Sequence, residues 1–124
     1  RVPDSGRFEL ILMDGSANPY LLQAGVMAAG LDGINNKIDP GEPLFCNMYT
    51  DYKNYPNLPK LPDELEDSLN NLEDSKVLRE AFGEKVISSY VKLKKQELES
   101  FDKEERFDKR SSITAWEKIN TLDC

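Results

Sequence analysis

Arg7 and Glu9 stand two positions apart in the stretch GRFELILMDGSANPY, residues 6–20. Side chains alternate along an extended strand, so these two share a face with Ile11 and Met13, while Phe8, Leu10 and Leu12 form an apolar stripe on the other. A carboxylate beside a guanidinium on one strand face is the pair needed to hold a divalent cation and an anionic phosphate together. Glu9 offers the hard oxygen that suits magnesium or manganese, and Arg7 can meet the spread charge of a transferring phosphoryl group. One carboxylate does not make a metal site. The plain alternative is that Arg7 and Glu9 pair with each other, as charges on edge strands often do.

These residues need elements to hold them. Residues 7–13 are predicted to form a strand, ended by the turn chemistry of Asp14-Gly15-Ser16. A helix is predicted over 19–35, with Asn18 as its cap and Pro19 at its first position, where a missing N–H costs nothing. From Tyr20 to Leu31 nearly every residue is apolar or small, which predicts a helix buried on all sides and, with the strand, the core of the domain. Gly25 and Gly30 weaken such a helix by about 1 kcal/mol each, so close approach of a neighbouring backbone is the expected return.

Residues 38–62 contain five prolines together with Tyr49, Tyr52 and Tyr55, and read as a long loop. With no cationic groove nearby, the rings are expected to pin the loop to the core rather than to stack bases. Residues 63–124 read as a helical tail. Leu65, Leu69 and Leu72 mark one helix, and Val77, Leu78 and Phe82 a second that ends at Gly83. Val86, Ile87, Tyr90, Leu93, Leu98 and Phe101 line a third, whose other face is densely mixed in charge and places Glu99 one turn after Lys95. Thr114 and Glu117 have capping-box spacing, and Ile113, Trp116, Ile119 or Leu122 are expected to dock a last helix. The fold class is therefore α+β, mostly helical with one or two strands.

At 124 residues the chain has room for one modest domain, and 39% hydrophobic with 31% charged residues is ordinary for a globular protein. A net charge of −7 argues against nucleic-acid binding, and no apolar run approaches the roughly 18 residues of a membrane helix. A soluble, cytoplasmic protein is expected. Histidine is absent, so no hydrolytic triad can be assembled. Cys46 and Cys124 lie in unlike contexts and read as free thiols. The chain opens at Arg1 beside a strand, and is read as a piece of a longer protein.

The string RFELILMDGSANPYLLQAGVMAAGLDGINNKI closely resembles the glutamine synthetase pattern R-[I/F]-E-x-R-x-x-D-x-[S/A]-[A/G]-N-P-Y-L, followed by a small-residue helix ending AGLDGI. Arg1-Val2-Pro3 is similar to the family's R-[I/V]-P, and GEPLFCNMY to its G-E-x-x-x-x-N-L-Y. The likeness is dense over residues 1–49 and thins afterwards, with a TDYKNYPNLPKLPDEL run like that of the divergent type III-like branch. It implies the C-terminal portion of a glutamine synthetase-like catalytic domain over 1–124. The implied parent is an ATP-dependent glutamate–ammonia ligase working through γ-glutamyl phosphate, with Mg2+ or Mn2+ as cofactor and a homo-oligomeric ring as assembly.

The resemblance also implies roles for single positions. Glu9 matches a metal-binding glutamate, Arg1 an arginine on the ATP phosphates, and Arg7 a basic position beside the nucleotide. The family's second arginine, which holds the glutamate substrate, is Ile11 here, and isoleucine offers a carboxylate no donor. The loop between Arg1 and Arg7 is also short and lacks a lysine that reaches ATP in the family. Tyr49 falls on a tyrosine that is adenylylated in many bacterial members, but the acidic D-L-P-P-E-E context is replaced by TDYKNYP. The fragment alone is expected to be inactive without the upstream half. Two other readings stand beside the ligase: a non-catalytic interaction module on the same scaffold, and a γ-glutamyl-amine ligase with a different acceptor.

Overall fold

The computed structural model describes residues 5–15, 17–105 and 113–120, and contains six α-helices among them. Helix α1, Pro19–Asn35, begins where expected and for the expected reason. The Asn18 side-chain oxygen accepts the backbone N–H of Tyr20 at 3.0 Å and of Leu21 at 3.1 Å. Its far end closes by a different device. Lys37 takes a left-handed φ of 51°, which lets Ile38 N–H reach the Gly33 carbonyl at 2.9 Å and Lys37 N–H reach Ile34 at 3.2 Å. Glycine is the usual residue at such a position because it has no Cβ to strain.

The expected strand over 7–13 is not formed among the described residues: Arg7 makes a single bridge and residues 8–12 have no regular element. A strand is stable only when a neighbour takes up its N–H and C=O groups, and no ladder does so among the described residues. The architecture is accordingly helical.

Helix α1 also departs from expectation in its surroundings. None of its residues is fully buried, and Met27, Leu31 and Ile34 are largely exposed. No atom lies within 4 Å of a Cβ built on Gly25 or Gly30, so neither glycine admits a close neighbour. The physical reason is a shortage of partners. An all-round apolar helix needs cover on every side, and among the described residues α4 is the helix that packs most against α1.

The core sits in the tail instead. Helix α3, Leu65–Asp74, and helix α5, Glu84–Glu105, pack together through Leu69, Ile87 and Val91. Helix α4, Lys76–Phe82, adds Leu78 and Phe82 to that cluster. Ser75 ends α3 and starts α4, its hydroxyl accepting Leu78 N–H at 3.3 Å, and Gly83 at φ 85° ends α4 so that α5 can leave at an angle. Arg79 fastens the corner, donating to the Glu73 carbonyl and pairing with Glu84. Lys95 does not use Glu99. It crosses to Glu73 on α3, 2.6 Å away, because the two helices lie side by side.

Helix α6, Ala115–Asn120, docks on the end of α5 through Trp116, whose ring meets Phe101 edge-to-face at 5.6 Å and whose indole N–H donates to Ser100 Oγ at 3.1 Å. The capping box is made in full: Glu117 carboxylate accepts Thr114 N–H at 2.8 Å, and Glu117 N–H donates to Thr114 Oγ1 at 3.1 Å. Those bonds to Thr114 hold the Glu117 carboxyl below its ordinary pKa. Of the other residues expected to dock this helix, Ile113 and Ile119 face solvent, and Leu122 lies outside the described residues.

The stretch 38–62 holds a short helix α2, Met48–Asp51, continued by a 3-10 turn over Tyr52–Asn54. Asn47 starts it, its side chain accepting Tyr49 N–H at 3.1 Å while Asp51 accepts Asn47 N–H at 3.1 Å. The tyrosines do not pin this stretch as a set. Tyr49 is 95% exposed, Tyr52 is exposed with Lys53 near its ring, and Tyr55 alone is half-buried. Tyr55 lies beside Cys46, and that contact raises its pKa. Cys46 is a free thiol, whereas Cys124 lies outside the described residues.

Candidate functional site

Arg7 and Glu9 do fall on one side of the chain. Arg7 Nη2 lies 3.6 Å from Glu9 Oε1, and both side chains are partly exposed, so the pair is a loose one worth well under about 1 kcal/mol. The segment that carries them is tied to α1 by a turn, in which Ala17 N–H donates to the Asp14 carbonyl at 3.2 Å before Asn18 caps the helix. Leu10 and Met13 then face Leu21, Val26 and Ala29 of α1 across an apolar groove of about 400 Å³. The pair is therefore set at the mouth of α1 by a turn, a cap and an apolar footing, not by a sheet.

Ile11 is 84% exposed. Arg1 lies outside the described residues. Tyr49 stands on α2 with 95% exposure. Among the described residues no group of three or more histidine, cysteine or acidic side chains converges as a metal site. Glu9 can thus supply one oxygen ligand, while a magnesium ion takes about six, so the residues described here fit only as part of such a site. Asn18 and Asp14 are the positioning residues of this segment, and their signal was local: an Asx cap before proline, and a turn-forming Asp-Gly.

A protein-family profile described as the glutamine synthetase catalytic domain matches residues 1–117. The chain belongs to the glutamine synthetase catalytic-domain family. The glutamine synthetase of Rhizobium meliloti (strain 1021) is 43% identical over 123 residues, which is 99% of this chain and 26% of the relative. The glutamate–methylamine ligase of Methyloversatilis universalis is 41% identical over 96 residues, covering 74% of this chain and 21% of that protein. Among solved structures, a GmaS/ADP complex is similar with a TM-score of 0.77 and 40% identity, covering 100% of this chain and 26% of that one. The chain spans about a quarter of the length of these glutamine synthetase relatives. Among the described residues no helix is long and apolar enough to cross a membrane.

Proposed function

We propose that the chain is part of the catalytic domain of a cytoplasmic ATP-dependent ligase that joins ammonia to glutamate through a γ-glutamyl phosphate. The observation that carries this reading is the family match across nearly the whole chain, which covers the Arg7–Glu9 segment. Glu9 would give one carboxylate to a Mg2+ or Mn2+ ion, and the ion would neutralise phosphate charge and orient the reacting groups. Arg7 is then released from its loose pair with Glu9 and stabilises phosphate oxygens, with Arg1 as a second phosphate contact. The remaining metal ligands and the ring of subunits would come from the rest of the protein. Adenylylation at Tyr49 is compatible with its exposure but has no support in the residues around it.

The test is binding of Mn2+ with ATP to the whole protein and to its Glu9→Gln variant. A loss of about tenfold or more in affinity is expected. Equal binding removes Glu9 from the site.

A second reading keeps the chemistry and changes the acceptor to an amine. It is favoured by Ile11, which puts an apolar side chain where the family resemblance calls for an arginine, and by similarity to the methylamine ligase. Turnover with ammonia against methylamine separates the two. A third reading, a scaffold without catalysis, is the outcome if neither amine is used.

A further inference from the structure

We propose that Cys46 and Met48 form a binding site for a soft monovalent cation, Cu(I). The two residues flank Asn47, and Cys46 Sγ lies 3.5 Å from Met48 Sδ. Thiolate and thioether sulfurs are soft donors, and such donors select Cu(I) over the hard Mg2+ and Mn2+ that carboxylate oxygens hold. At that separation, bonds of about 2.3 Å from one ion to each sulfur meet at roughly 100°, close to the tetrahedral angle. The pair can therefore grip an ion with little movement of either side chain.

The backbone holds the two sulfurs ready. Asn47, between them, is fixed from both ends: its side chain accepts Tyr49 N–H at 3.1 Å, and its own N–H donates to Asp51 Oδ2 at 3.1 Å. Asp51 is held in turn, with Thr50 Oγ1 donating to its other oxygen at 2.9 Å. After the 3-10 turn, Tyr55 N–H donates to the Tyr52 carbonyl at 3.1 Å, which brings the Tyr55 ring back to Cys46. The Tyr55 hydroxyl hydrogen-bonds with the thiol there, and this contact raises the Tyr55 pKa. Cys46 is half-buried and Met48 is exposed, so an ion can reach the sulfurs from solvent.

The surroundings narrow the choice of ion. A structural zinc site takes four nitrogen, sulfur or oxygen ligands, and among the described residues no group of three or more histidine, cysteine or acidic side chains converges. Asp51, three residues on from Met48, already has both carboxylate oxygens in hydrogen bonds. Cu(I) is the ion that the two-sulfur donor set fits. Its binding replaces the S–H bond of Cys46 by an S–Cu bond and releases one proton, with no change of oxidation state. Exposure alone does not make such a site: Met27 is more exposed than Met48, 66% against 41%, but stands on α1 in a segment without cysteine.

The experiment titrates the whole protein, kept reduced, with Cu(I) in competition with the bicinchoninate anion, whose coloured complex reports the copper it loses. The protein should take up one equivalent that Cys46→Ser abolishes. Met48→Leu keeps the thiol and nearly the same side-chain volume, and should weaken that equivalent about tenfold or more. Met27→Leu should leave it unchanged. Cys46 and Met48 both lie outside the α3–α5 core, so neither substitution removes the packing that folds the tail. Failure of the protein to withdraw copper from the chelator overturns the proposal. So does uptake that is equal in Cys46→Ser, or an affinity that Met48→Leu leaves intact or that Met27→Leu lowers as much.

Discussion

Lys95 Nζ on α5 lies 2.6 Å from Glu73 Oε2 on α3, a contact between residues 22 positions apart. Both side chains keep about two-fifths of their exposure, so water screens the pair and its net contribution is below about 1 kcal/mol. Lys95→Met should shift the urea midpoint only slightly, and the shift should vanish at high salt.

Leu69 is the contrasting case, 2% exposed and packed between Ile87 and Val91. Leu69→Ala removes buried methyl groups and leaves a void, at a cost of about 2–5 kcal/mol. Urea denaturation followed by circular dichroism should show that loss. A cost under about 1 kcal/mol would mean that the tail helices are not the core.

Glu117 gives α6 a pH dependence of definite sign. Its folded pKa is depressed, so its stabilising effect is complete above the unfolded carboxylate value of about 4.3 and is lost as pH falls through the lower folded value. Trp116 fluorescence should therefore report release of α6 only in acid. Thr114→Ala removes the hydroxyl that accepts Glu117 N–H and should move the transition towards neutral pH, while Glu117→Gln should flatten it.

Lys37→Gly should stabilise the end of α1 by about 0.5–1 kcal/mol, since glycine takes the left-handed conformation without a Cβ penalty. Thermal melts of the two proteins would measure it, and no gain would mean that the lysine side chain compensates for the strain.

Ile11→Arg asks what the exposed isoleucine does. If this position selects the substrate, the variant of the whole protein should bind glutamate about tenfold more tightly through a charge-assisted bond. An unchanged glutamate KM would remove Ile11 from that role.

Local chemistry was readable in the sequence wherever it closed on itself. The Asn18 cap, the Thr114–Glu117 box and the Gly83 stop depend on residues within a turn of each other, and all are present. Long-range choices were not readable. The charge pattern pointed Lys95 at Glu99 one turn away, but a helix packed alongside offered Glu73. Val91, the most enclosed side chain among the described residues, stands four residues after Ile87 on the same stripe, yet the lysines that follow it masked its place in the core. The strand and the buried α1 failed for a common reason, that apolar patterning states a need for partners without supplying them. At the site, Arg7 and Glu9 lie 3.6 Å apart without the strand that the spacing argument assumed, and no pattern could say how loosely they would pair.

Every fully buried hydrophobic residue described here lies on α3 or α5, and this has a consequence for synthesis. A chain is made from its N-terminus, at about 5–20 residues per second, so α1 emerges some seconds before Val91 exists to complete the α3–α5 packing unit. During that interval the apolar α1 lacks the packing unit that forms after it. A nascent chain stalled between Asn35 and Val91 should be the form most readily captured by chaperones.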